Sequence, residues 1–162
     1  MQIFSNILLL FFLMNSGFTI AQQVDSLNQE LPQSLYLDLA TFLIVGNLSI
    51  NYELPLQSQW LLRFGIGLGY DSGYYEKESR TTAGLLSMIN FITEGSSSHF
   101  ESGAGISINS INDGEGSQWK IYPAFIIGYR YQAYDGGFIF RTGLGATLAF
   151  GYLLYLSFGT TI

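Results

Sequence analysis

The sequence predicts an all-β fold, an eight-stranded antiparallel up-and-down transmembrane β-barrel. Three observations lead there. Beyond residue 33 the chain divides into eight segments of about 8 to 12 residues with alternating hydrophobicity, the length and period of tilted membrane strands. Asp38, Glu53, Arg63, Glu101, Arg130 and Arg141 fall on one face of those segments, while the other face is Leu, Ile, Phe and Tyr. Only 11% of the residues are charged and 48% are hydrophobic, against about 25% charged in an ordinary soluble domain. So many apolar faces in so short a chain cannot all be buried against one another. A closed barrel turns them toward lipid and keeps the charges paired in its lumen.

The residues before the barrel carry an export pattern. Ile7 to Met14 form the unbroken apolar run ILLLFFLM, and Thr19-Ile20-Ala21 places small residues where a signal peptidase reads, so residues 1–21 are expected to be a signal peptide cut after Ala21. The run falls well short of the ~20 apolar residues of a spanning helix. Residues 22–33, QQVDSLNQELPQ, are polar and aperiodic and form a periplasmic lead-in to the outer-membrane barrel domain, residues 34–162. The chain has no Cys, which suits an envelope barrel and leaves no lipoprotein anchor. Net charge is −6. Because the six lumen charges cancel, the excess lies in linker, loops, turns and strand ends, and an acidic exterior argues against nucleic acid as a partner.

Taken in order, strand one is expected over Leu35 to Ile44 and strand two over Leu48 to Leu54, with Val45-Gly46-Asn47 turning between them. Pro55 to Gln59 makes the next turn. Strand three, Trp60 to Tyr70, has the cleanest alternation, with Leu62, Phe64, Ile66 and Leu68 outward and Arg63, Gly65, Gly67 and Gly69 inward. Asp71 to Thr81 is a long charged loop. Strand four, Thr82 to Ile92, has a mostly apolar pattern that does not fix its register, and Asn90 is its expected lumen residue. After a turn at Thr93 to Ser97, strand five, Ser98 to Ile108, puts Glu101, Gly103, Gly105 and Ser107 inward. Asn109 to Gln118 reads as a second long polar loop.

Strand six, Trp119 to Tyr131, turns Pro123, Phe125, Ile127, Tyr129 and Tyr131 toward lipid and Tyr122, Gly128 and Arg130 inward; Pro123 is a mild conflict with a strand, tolerable near an end or a bulge. Ala133 to Gly137, AYDGG, is hairpin chemistry. Strand seven, Phe138 to Leu148, sets Arg141, Gly143 and Gly145 inward, and strand eight, Tyr152 to Ile162, closes the barrel, with the apolar Ala149-Phe150-Gly151 between them. If the N-terminus is periplasmic, the short turns PLQSQ, TEGSS and AYDGG all fall inside and the two longest connections fall outside, as outer-membrane barrels require. Tyr52, Trp60, Tyr129, Tyr131 and Phe138 then form an inner aromatic girdle, and Tyr70 and Trp119 mark an outer one.

The blocks LSINYE (Leu48 to Glu53), SHFESGAG (Ser98 to Gly105), IGYRYQ (Ile127 to Gln132) and GGFIFR (Gly136 to Arg141) resemble those of small outer-membrane β-barrel proteins of Bacteroidota-type bacteria. The architecture is similar to that of OmpA-like, OmpX-like and OmpW-like eight-stranded barrels. The resemblance covers nearly the whole mature chain and implies a scaffold in the bacterial outer membrane, without assigning a catalytic site.

Ionised groups in so narrow a lumen are stable only when paired. Arg63, Arg130 and Arg141 can each fork to a carboxylate, and Asp38, Glu53 and Glu101 supply the carboxylates. The expected result is a plug, with lumen glycines making room for the long Arg side chains; a gated pore is the alternative. His99 is the one histidine, with Ser97 and Glu101 at two-residue spacing. Alternate side chains on a strand stand about 6 to 7 Å apart, farther than a nucleophile and its base need, so this set is not expected to be catalytic. In the loops, Tyr74, Tyr75, Glu76, Glu78, Asp113 and Glu115 are candidate external contacts, but they lack the regular ligand spacing of a calcium loop. GIGLG (Gly65 to Gly69) has no following helix and is no phosphate loop.

These readings add up to a non-enzymatic, monomeric barrel with a charge-paired, plugged lumen, serving an envelope structural or surface-interaction role. Neither cofactor nor metal is expected. Its partners would be outer-membrane lipids and lipopolysaccharide, the barrel-assembly machinery during insertion, and a surface protein met by the loops. The rival expectations are a barrel transporting a small solute or apolar ligand and, behind it, a lipid-modifying enzyme.

Overall fold

The computed structural model describes residues 31–42, 45–71, 80–112, 116–133, 136–147 and 151–162. The signal-peptide region and most of the lead-in lie outside them. The strands are β1 (Ser34–Phe42), β2 (Val45–Gln57), β3 (Trp60–Asp71), β4 (Arg80–Ile92), β5 (Ser98–Asn112), β6 (Ser117–Gln132), β7 (Phe138–Thr147) and β8 (Gly151–Thr161). Each pairs antiparallel with its neighbour in the chain, and β8 pairs with β1, so the eight-stranded sheet closes as an up-and-down barrel. Among the described residues there is no helix.

The two-residue period decides which side chains go where. Along β3, Leu61, Arg63 and Gly65 are buried while Phe64, Ile66 and Leu68 stand exposed. Along β8, Leu153, Tyr155 and Ser157 are buried and Leu154, Leu156 and Phe158 exposed. The outer wall is therefore an apolar band with Ile66 61% and Ile121 66% exposed, and the polar residues are inside. An exposed apolar surface of this extent calls for a nonaqueous surrounding. Trp60, Tyr129, Tyr131 and Phe138 stand exposed near one end and Tyr70, Trp119 and Tyr152 near the other.

Strand tilt brings distant residues to one level. Direct partners followed from Ser34 run through Glu53, Arg63, Met88, Gly105, Ala124, Thr147 and Gly151. This path climbs from the end that holds the start of β1 and the close of β8 (the termini end) to the opposite rim (the loop end). Side chains that share a height in the lumen are thus offset along the ladders.

Several boundaries differ from the sequence reading, among them Gly151, which begins β8. Val45, Gly46 and Asn47 belong to β2, which pairs back to Phe42. Pro55 to Gln57 also remain in β2, with a bulge between Pro55 and Gln57 that accommodates the proline before the turn at Ser58 and Gln59. Arg80 and Thr81 are in β4, paired with Asp71 and Tyr70. The expected long loop over Asn109 to Gln118 is mostly strand, because the β5–β6 ladder continues to Asn112 opposite Ser117. Polar residues continue these ladders as well as apolar ones do, since pairing uses the backbone. Gly136 (φ 87°) and Gly137 (φ 93°) turn the β6–β7 hairpin in the left-handed region, as the AYDGG sequence predicts.

Candidate functional site

The six predicted lumen charges meet in one layer toward the termini end. Arg130 on β6 reaches across to Glu53 on β2, with Nη1 donating to Oε2 at 2.6 Å. Arg141 on β7 grips Glu101 on β5 through two bonds, Nε to Oε2 at 2.8 Å and Nη2 to Oε1 at 2.5 Å, the forked geometry that guanidinium and carboxylate share. Arg63 on β3 is paired with Asp38 on β1, and its Nε donates to Asn51 Oδ1 at 2.9 Å. All six are buried, and Glu53, Glu101, Arg130 and Arg141 are 0% exposed.

Neutral side chains complete the pairing. The Tyr36 hydroxyl donates to Glu53 Oε1 at 2.7 Å. Asn90 Nδ2 donates to Glu53 Oε1 at 2.9 Å and to Glu101 Oε1 at 3.0 Å, tying the two carboxylates together. Arg130 Nε donates to Gln132 Oε1 at 2.8 Å, and its Nη2 to Ser34 Oγ at 3.3 Å. The Arg141 guanidinium also lies 4.4 Å from the Tyr36 ring centre and 5.6 Å from that of Tyr155. On the side facing the loop end the layer is incomplete. Arg141 Nη1 and Asp38 Oδ1 stand 3.8 Å apart, and neither has a hydrogen-bond partner among the described residues.

The lumen glycines make room for a different set of side chains from the one the sequence suggests. A Cβ on Gly103 would strike the Asn90 carboxamide, and one on Gly65 that of Asn51. On Gly128 or Gly143 it would strike the Tyr155 hydroxyl, on Gly105 Met88, and on Gly159 Tyr36. The glycines seat the tyrosines, asparagines and methionine of the lumen, among which Asn51 accepts from Arg63 while Tyr36 and Tyr155 lie against the Arg141 guanidinium.

Below the charges, Leu61, Ile92 and Ile139, each at most 2% exposed, form an apolar floor at the termini end. Above them the lumen widens into a cavity of about 110 Å³, whose lining includes Asp38, Asn47, Ser49, Arg63, Ser107 and Tyr155. His99 is buried near the floor, with Nδ1 2.7 Å from the Thr93 carbonyl oxygen. The carboxylate two residues away, Glu101, is bonded to Arg141 and not to His99. No group of three or more His, Cys, Asp or Glu side chains among the described residues is placed to hold a metal ion. Tyr74, Tyr75, Glu76, Glu78, Asp113 and Glu115 lie outside the described residues.

Sequence reasoning missed the supporting cast, although parity could have found it. Tyr36 is two residues from Asp38, Leu61 two from Arg63, Ile92 two from Asn90, Gln132 two from Arg130 and Ile139 two from Arg141, all on the inward side.

No protein-family model matches the chain, and no curated protein sequence matches it. Among solved structures it is similar to the N-terminal β-barrel domain of Pseudomonas aeruginosa OprF, with a TM-score of 0.65 and 12% identity, covering 83% of this chain and 100% of that one. It also aligns with Ail, the attachment invasion locus protein of Yersinia pestis, with a TM-score of 0.43 and 9% identity, covering 80% of this chain and 97% of that one. The likeness to the OprF domain is one of fold.

Proposed function

We propose that this chain is a non-enzymatic, monomeric barrel of the bacterial outer membrane, exported by its N-terminal segment. Its lumen is plugged by paired charges, and it serves the envelope as a structural or surface-interaction module through its loops. The observation that carries the plug is the ion layer: three arginines, each tied to a carboxylate on another strand, lie buried over an apolar floor. The apolar outer band and the fold shared with the OprF domain support the membrane location. Lipopolysaccharide and lipids would cover the band. The alternation of Leu154, Leu156, Phe158 and Ile162 on and just beyond β8 is what the assembly machinery would read. Plugging is favoured over lateral transport because the β6–β7 ladder is continuous from Ala124 to Gln132 and the β7–β8 ladder from Phe138 to Thr147, with no break in either beside Arg130 and Arg141.

The test joins heat-modifiable gel migration of outer-membrane protein with single-channel recording of the same folded sample. A boiling-sensitive band without conductance is expected. Steady, reproducible channels would replace the plug with a pore, and absence of the protein from the outer-membrane fraction would remove the location.

A further inference from the structure

The cavity above the ion layer is a cup, closed below and facing the loop end. We propose that it binds one small uncharged polyol of about the size of glycerol and does not conduct it. Three features of the lining specify that class of ligand.

The first is its charge. Of the lining side chains only Asp38 and Arg63 are ionised, and they are paired with each other, so an ion of either sign finds no uncompensated counter-charge. The second is the set of unpartnered polar atoms. Asp38 (5% exposed) and Asn47 both line the cup, and neither Asp38 Oδ1 nor Asn47 Oδ1 has a hydrogen-bond partner among the described residues. Both atoms only accept hydrogen bonds, so they suit a ligand rich in hydroxyl donors. The third feature is size and surface. About 110 Å³ holds about three or four waters or a single molecule of glycerol's bulk. The carbon faces of Leu86, Met88 and Ile126 on the lining give its C–H groups something to pack against.

Gly145 supplies a clean way to fill the cup. It is on the lining, and a Cβ built there approaches nothing closer than 3.7 Å, whereas at Gly67 or Gly84 it would collide with a neighbouring strand's atoms. Gly145→Leu therefore occupies the cup without pushing the wall apart.

The experiment is a glycerol titration of the isotope-labelled protein, folded in uncharged detergent micelles and followed through its backbone amide resonances. Potassium chloride and glycine betaine serve as charged comparisons. Saturable shifts are expected at Gly84, Ser107 and Gly145 and not at Ile92 or Ile139 in the floor, with neither comparison reproducing them. Gly145→Leu is expected to abolish saturation. Asn47→Ala, which removes an acceptor and adds no bulk, is expected to weaken binding about tenfold, and it carries the test alone if the leucine variant does not fold. Linear or molecule-wide shifts, saturation that survives in both variants, an equal response to the charged comparisons, or cup waters that glycerol fails to displace would each overturn the proposal. The cup rests on the closed layer beneath it, but its test is separate: a barrel that conducts and still saturates with glycerol loses the plug and keeps the cup.

Discussion

The two halves of the lumen are lined by the same eight strands, yet they are stabilised in opposite ways. Toward the termini end the inward positions carry long charged and aromatic side chains whose bonds cross the barrel: β6 to β2 through Arg130 and Glu53, β7 to β5 through Arg141 and Glu101, and β3 to β1 through Arg63 and Asp38. Toward the loop end the inward positions carry Gly, Ser, Asn and Thr, and their bonds are mostly local. Asn51 donates to Ser49 at 3.0 Å and Asn109 to Ser107 at 3.0 Å, each within one strand. The Ser107–Thr147 pair, 3.3 Å apart, reaches past a neighbouring strand. The contrast teaches that charge can enter a narrow barrel only where opposite walls supply its partners at the same height. Where they do not, small neutral residues leave space.

The largest effect should come from breaking a spoke of the ion layer. Glu53 accepts from Arg130, Tyr36, Asn90 and Ser34. Glu53→Leu strands the buried Arg130 charge and should cost ~3–5 kcal/mol, read from urea unfolding in phosphocholine vesicles. Adding Arg130→Leu should recover part of that loss, since removing both charges is far cheaper than removing one. A double variant as damaged as the sum of its singles would mean that the pair does not act as a unit.

The outer wall should not distinguish the halves. Ile66, at the level of the cup, and Phe140, near the floor, both face outward on this register. A charge at Ile66 should cost ~2–4 kcal/mol if it lies near the bilayer midplane, and a charge at a loop position almost nothing. Equal costs at both places would refute the topology.

Glycines should separate the halves next. Gly143→Ala drives a methyl group into the Ile127 carbonyl and the Tyr155 hydroxyl, an overpacking worth ~1–3 kcal/mol. Gly145→Ala, two residues on, meets only ordinary contacts and should leave the unfolding midpoint nearly unchanged. Similar losses at both would mean that the walls of the cup are as tightly filled as the ion layer.

How much of this was legible in the sequence follows from what each signal measures. The two-residue period reports which face a side chain takes, and it placed Arg63, Arg130 and Arg141 inward beside Asp38, Glu53 and Glu101. It marks only residues whose polarity contrasts with lipid. Leu61, Ile92 and Ile139 look like lipid-facing residues, and only their two-residue spacing from Arg63, Asn90 and Arg141 marks them as inward. Strand ends were misplaced for a related reason. Asn109 and Ser117 are polar because they meet the lumen or water, while the backbone ladder continues past them to Asn112. The glycines' partners depend on which opposing strand stands at the same height, a consequence of tilt that no single strand records.

The smallest effect is also the most diagnostic, because it asks whether the upper half is wet. Thr82, on β4 near the loop end, is 6% exposed, and its Oγ1 has no hydrogen-bond partner among the described residues. Valine has nearly the same shape and suits a strand at least as well, so if the hydroxyl is unsatisfied, Thr82→Val removes a buried liability and should be neutral or stabilising by up to ~1 kcal/mol. Asn90→Leu, in the ion layer, deletes two bonds to carboxylates and should cost several times more, because hydrogen bonds to charged groups contribute ~1.5–3 kcal/mol each. A loss above ~1 kcal/mol at Thr82 would show that water satisfies the hydroxyl. The loop half of the lumen would then owe its stability to solvent, just as the termini half owes its own to paired charge.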